Sequence, residues 1–219
     1  MNLSVKVAPR HRALLQVNKV ALTTATTQEL FAGVCEALRK LMRYDRAGLS
    51  VYDSDHDSLK IVALSTGYRN SVFHPGFLLD RTNSQAGWVF EHQTHIIRRD
   101  LTKELRFLSD KLTLEEGYRS LCSVPLVVYG NSVGVVTIAS EQKNEFSKNH
   151  ARILQEISDQ IALAINSINP KCHVHKETRL VCPRCIGAAG GKVTVSKHRE
   201  HLSNWGKKGG RGRKKPDFT

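Results

Sequence analysis

The sequence has no long hydrophobic run: nowhere in its 219 residues do apolar side chains approach the roughly 18 in succession that a membrane-spanning helix needs. The first ten residues, Met1 to Arg10, also lack the apolar core of a secretory signal. Both absences lead to the expectation of a cytoplasmic chain with no membrane partner. Cysteine is scarce, with five residues. Cys35 and Cys122 stand alone in apolar stretches, whereas Cys172, Cys182 and Cys185 cluster beside His173 and His175. In a reducing compartment such a cluster reads as metal-binding before it reads as a disulfide framework. The last 49 residues are short of negative charge: 13 Lys and Arg face 3 Asp and Glu, so they carry +10 of the total +13. Ordinary globular surfaces mix both signs. A segment this one-sided seeks a polyanion, of which nucleic acid is the commonest soluble example.

What is present before Pro170 is periodic. From Arg10 to Thr23, Leu14, Leu15, Val17, Val20, Ala21 and Leu22 recur at helical spacing. A second helix is expected after a Thr-rich break, with Thr27 as N-cap and Leu30, Val34, Leu38 and Leu41 on one stripe. Cys35 lies beside that stripe and reads as a small core residue. Arg46 to Tyr52 and Leu59 to Leu64 alternate like the strands of a hairpin, joined by the polar turn Asp53 to Asp57. That turn lacks the spacing and the closing Glu of a calcium loop. The middle, Gly67 to Gly117, is less regular; it shows a short helix at Ser84 to Glu91 and a short strand at His95 to Ile97. Ser120 to Tyr129 and Ser132 to Ser140 form a second hairpin about Gly130-Asn131. A long helix then runs from Ser147, with Ile153, Leu154, Ile157, Ile161 and Ile165 on one side, and Pro170 stops it. This order describes an α+β domain with a central antiparallel sheet and flanking helices. The irregular middle is longer than an idle connection, so a ligand is expected beneath it.

Several separated blocks carry a resemblance. Glu116-Gly-Tyr-Arg-Ser-Leu-Cys-Ser-Val-Pro-Leu126 is followed by Gly130, by Gly134-Val-Val136 and by Phe146-Ser147 opening the last helix. Upstream, Gly87-Trp-Val-Phe90 precedes His95-Ile-Ile97 and Asp100. Together these resemble the GAF domain, in particular the GAF modules of bacterial signalling proteins and transcription activators, over about residues 10 to 168. The resemblance implies a ligand cavity on one face of the sheet, roofed by the middle loops. It further implies first and last helices packed together on the other face, where such helices often dimerise. Trp88, Arg119, Ser120 and Cys122 are the residues expected at the ligand site. The motif of cyclic-nucleotide-binding members is missing, since Asn144-Glu-Phe146 runs into Ser147-Lys-Asn149 without an Asp-Glu pair. No match to the surroundings of a bilin-attaching cysteine is seen either. Members that reduce free methionine sulfoxide use several cysteines near the pocket, and this domain offers two that lie far apart in sequence.

The domain is therefore expected to span residues 10–169, with a small zinc-ribbon-like tail at 171–219. Few large apolar residues occur in the tail, so bound metal would have to supply folding energy. Cys172, His175, Cys182 and Cys185 give C-x2-H-x6-C-x2-C, two knuckles suited to one tetrahedral zinc. A competing set, Cys182, Cys185, His198 and His201, has a histidine spacing one residue short of a classical finger. Beyond it, Lys207, Lys208, Arg211, Arg213, Lys214 and Lys215 are the expected nucleic-acid contacts, in Gly-rich sequence suited to following a phosphate backbone. Arg211-Gly-Arg213 resembles the core of an AT-hook, although Lys214 stands where that motif has Pro. The leading expectation is a non-enzymatic, homodimeric sensor that couples a small-molecule ligand to a basic nucleic-acid-binding tail. The alternatives are a ligand-free dimerisation and protein-docking module, and a redox enzyme built on Cys122.

Overall fold

Two hairpins supply the centre of the sheet. β1 (Arg46–Asp53) pairs with β2 (Ser58–Thr66), and β5 (Ser120–Val128) pairs with β6 (Asn131–Ser140). β1 and β6 then join antiparallel. Three-residue strands complete the two sides, β3 (Leu78–Asp80) on β2 and β4 (Ile96–Arg98) on β5, giving the order β3-β2-β1-β6-β5-β4. These features come from a computed structural model, which describes residues 9–24, 26–67 and 71–168. The proposed metal ligands and basic contacts of the tail lie outside the described residues.

The helices are α1 (Pro9–Thr23), α2 (Thr27–Arg39), α3 (Gln85–His92), α4 (Ser109–Glu115) and α5 (Lys148–Ile168). α5 buries Leu154, Ile157, Ile161 and Ile165 against the sheet, chiefly on β5, while α1 packs on both α2 and α5. Arg10 on α1 pairs with Glu156 on α5. α2 begins one residue earlier than expected: Thr26, in extended conformation, is the N-cap and accepts a hydrogen bond from the Glu29 backbone N–H at 3.2 Å. The second hairpin also turns one residue earlier. Tyr129 and Gly130 have φ of 48° and 76°, the left-handed pair that a two-residue turn between twisted strands requires.

The sheet has two distinct faces because side chains alternate. Ala47, Leu49, Cys122, Val124, Val136 and Ile138 are buried on the helix side. Arg46, Gly48, Ser50, Leu121 and Thr137 face the other way, beneath the irregular middle. One departure from strict alternation matters there. Leu49 pairs with Ala63 but Ser50 pairs with Ile61, leaving Val62 as an extra residue. This bulge turns both Ile61 and Leu64 to the same side, although they are three apart.

Candidate functional site

The roof over the open face is built from tightly tied turns. Asp80 Oδ1 accepts from the backbone N–H groups of Thr82 and Asn83 and from the Thr82 hydroxyl. Ser84 then caps α3 by accepting from the Gly87 N–H at 3.0 Å. A Cβ on Gly87 would fall 2.0 Å from the Arg81 carbonyl oxygen, so only glycine lets α3 start this close to its own turn. α4 is anchored by Asp110, whose carboxylate accepts from the N–H groups of Arg106 and Phe107 and from Arg98 Nη2 at 3.1 Å. Arg98 is itself buried. Its Nη1 reaches Gln85, whose amide donates to Ser123 Oγ at 2.7 Å, and Ser123 in turn bonds Thr137 Oγ1 at 2.8 Å. One polar chain thus joins α4, β4, α3 and the sheet.

Between roof and sheet lies a free space of about 60 Å³. Its walls mix apolar Ile61, Leu64, Phe73, Leu79 and Leu121 with the polar side chains of Ser50, Gln85, Thr113 and Thr137. Arg46 is the one charged residue among its described lining residues. The guanidinium lies 4.3 Å from the Tyr118 ring centre and 4.7 Å from that of Phe73. Its Nη1 donates to Glu116 Oε2 at 2.6 Å. The other carboxylate oxygen of Glu116 accepts from the Ser71 hydroxyl and the Val72 N–H, both at 2.7 Å. Burial pulls the Arg46 pKa below its ordinary value, with Glu116 and Tyr118 acting in the opposite direction. Ser50 lines the same space and its hydroxyl has no hydrogen-bond partner among the described residues.

A helix-flanked antiparallel sheet with a roofed cavity on its free face is the arrangement implied by the sequence blocks, and the family comparison agrees. The family model for the GAF domain matches residues 26–165. The chain belongs to the GAF domain family. Solved structures similar to this GAF domain share its fold at low identity. The GAF domain of an Acinetobacter phosphoenolpyruvate-protein phosphotransferase aligns with a TM-score of 0.60 at 16% identity, covering 73% of this chain and 94% of that one. The free methionine-R-sulfoxide reductase of Neisseria meningitidis, solved in complex with its substrate, aligns with a TM-score of 0.61 at 15% identity, covering 77% and 96%. The GAF domain of a two-component sensor histidine kinase from Bacillus halodurans gives 0.56 at 18% identity, covering 63% and 92%. No curated protein matches the chain.

None of the four expected ligand residues is among the described residues that line the cavity. Trp88 lies half-buried on α3, stacked on His92 at 4.3 Å between ring centres, with the Arg106 guanidinium 5.4 Å away. Arg119 Nη1 donates to the carbonyls of Leu114 and Tyr118 and so fixes the turn after α4. Ser120 donates to the Gln142 carbonyl at 2.6 Å. Cys122 is fully buried on the helix side of β5, where burial pushes its thiol up to about 12. The residues that do line the cavity carry a sequence signal. Arg46, Gly48 and Ser50 occupy alternate positions of one strand, and a run of non-apolar residues on one face of a central strand marks a face turned toward something other than a hydrophobic core.

Proposed function

We propose that this chain is a non-enzymatic sensor that binds a small molecule in the cavity between β1 and the α3–α4 roof and uses its basic tail to engage nucleic acid. The observation that carries the ligand reading is the buried Arg46 in a mixed apolar and polar cavity, the composition typical of small-molecule sites. Supporting the non-enzymatic reading, the two cysteines of the domain are both buried and both have pKa values raised by burial, the opposite of what a reactive thiolate needs. Supporting the tail reading is its charge of +10 in 49 residues. In this reading the tail binds one zinc through Cys172, His175, Cys182 and Cys185, and the chain is a homodimer through α1 and α5.

Gly48 provides the test. It lines the cavity, and a Cβ there would meet only Leu64 Cδ1, at an ordinary 3.4 Å. Gly48→Val projects two methyl groups into the cavity from its floor with its Cβ in ordinary contact, and its unfolding midpoint without compound, set against that of the wild type, reports whether the fold is kept. Screened against a panel of small polar metabolites, the wild-type chain is expected to gain thermal stability with at least one compound that leaves Gly48→Val unshifted. If no compound shifts the wild type, or if both proteins shift alike, the cavity is not the sensing site.

A further inference from the structure

We propose that the ligand of this cavity is a short-chain monocarboxylate, held by the side fork of Arg46. This rests on the reading of the cavity as a ligand site and names the class of molecule it takes.

The argument begins with the hydrogen bonds of Arg46. Its side chain is 9% exposed, yet among the described residues it has one acceptor, Glu116, reached through Nη1 alone. Among the described residues, Nε and Nη2 have no acceptor. The rings of Phe73 and Tyr118 lie against the guanidinium, so only its edges can take further hydrogen bonds. The Nε and Nη2 N–H groups are two parallel donors on one edge, which match a planar carboxylate in bidentate fashion. Glu116 cannot fill this role as well. Its Oε1 is already taken by Ser71 and Val72, so its charge is divided between Arg46 and the segment over the cavity. The downward pull of burial on the Arg46 pKa, which Glu116 does not overcome, is consistent with a cation lacking part of its compensation.

Size and charge narrow the class. At roughly 10–15 Å³ per water-sized position, 60 Å³ accommodates about four to six such positions, hence a carboxylate on a chain of roughly two to four carbons. A dianion such as a phosphate monoester would meet the neighbouring Glu116 with no second cation among the described lining residues. From Arg46 to Ser50 the strand advances roughly 13 Å. A four-carbon acid is shorter than this span, so with its carboxylate at Arg46 the carbon chain packs on the apolar lining residues and stops short of Ser50.

Calorimetric titration of the full-length chain with acetate, propionate and butyrate, and with propionamide and butyramide as uncharged matches, tests this. Carboxylates are expected to bind at least about tenfold more tightly than amides of equal length. Arg46→Lys keeps the charge and removes the fork, and should weaken carboxylate binding about ten- to a hundredfold. Should that variant fold poorly, Glu116→Gln reads the same site. It keeps an acceptor for Ser71 and Val72 and removes the competing charge, so carboxylate affinity should rise several-fold. Amides binding as tightly as carboxylates, or a Glu116→Gln variant with unchanged or weaker carboxylate affinity, would overturn the proposal while leaving the cavity a ligand site. Absence of binding by every carboxylate also overturns it; the metabolite panel with Gly48→Val then decides separately whether the cavity senses anything.

Discussion

At the scale of single residues, two glycines of the sheet look alike in sequence and differ in what surrounds them. A Cβ on Gly134 would stand 2.2 Å from the Ser50 carbonyl oxygen, so β6 and β1 could not keep their spacing around it. On Gly48 the same atom finds ordinary contact. Gly134→Ala should therefore destabilise the domain by about 1–3 kcal/mol, whereas Gly48→Ala should be neutral or up to about 1 kcal/mol stabilising. Urea unfolding midpoints of the two variants, compared at unchanged m-value, check this. Cys122 makes a second prediction. Its native thiol keeps its proton up to about 12, while the unfolded thiol releases it near the ordinary 9.0, so its contribution to stability is whole below pH 9 and falls as pH rises from there toward 12. The unfolding free energy of the wild type should drop by roughly 1.4 kcal/mol per pH unit more than that of Cys122→Ala in this window. Equal slopes would mean that the thiol is more open to water than its burial indicates. Residue by residue, the site was only partly legible. Trp88, Arg119, Ser120 and Cys122 stand out because they are chemically distinctive and close to family blocks, but three of them spend their polar atoms or ring on neighbours and the fourth points to the helix side. Arg46 carries no distinctive mark in the sequence because charged residues at strand starts are common, and only its burial sets it apart.

At the scale of elements, the two hairpins and the long helices could be read because their apolar periods are strong. β3 and α4 could not. β3 has three residues, and α4 is a short helix whose capping residue, Leu108, makes no side-chain cap bond. What holds α4 in place is tertiary, the burial of Asp110 against Arg98, and sequence periodicity carries no trace of such a contact. Removing one member should expose its importance: Asp110→Ala leaves a buried guanidinium with the half-exposed Glu104 as its remaining carboxylate, and should cost about 3–5 kcal/mol. Thermal unfolding reads the loss, and a drop of less than about 1 kcal/mol would show that Glu104 and water suffice. The bulge at Val62 was equally hidden, since the hairpin reads as plain alternation until its register is known. Element ends were displaced by a residue where two candidates adjoin. Thr26 and Thr27 are chemically identical caps, and only the backbone conformation selects Thr26. Thr26→Ala is expected to cost about 1 kcal/mol and Thr27→Ala much less, measured by chemical denaturation.

At the scale of the whole molecule, the charge is divided as unevenly as the chain, and salt is the natural probe of the tail. The full chain should bind duplex DNA or RNA with a log-log salt slope near −4 to −5 if the tail engages about five phosphates, and a chain ending at Pro170 should not bind. Equal binding by both at moderate salt would leave the tail as a protein-docking element. Anaerobically purified chain should carry about one zinc, lost in Cys172→Ala and kept in His198→Ala; the reverse pattern selects the finger-like set. Self-association can be anticipated from the sheet. Its two outermost strands have three residues each, too few to template a partner strand. Beyond Ser123, where β4 no longer covers β5, the outer flank of the strand carries Pro125, which is buried. Its carbonyl is occupied by Ser158 and Gln155 of α5, and the missing N–H points the same way, so this residue has neither a donor nor a free acceptor to offer. That end of β5 is thereby guarded against edge-to-edge growth into fibrous aggregates, and it should not template an added strand in concentrated solution.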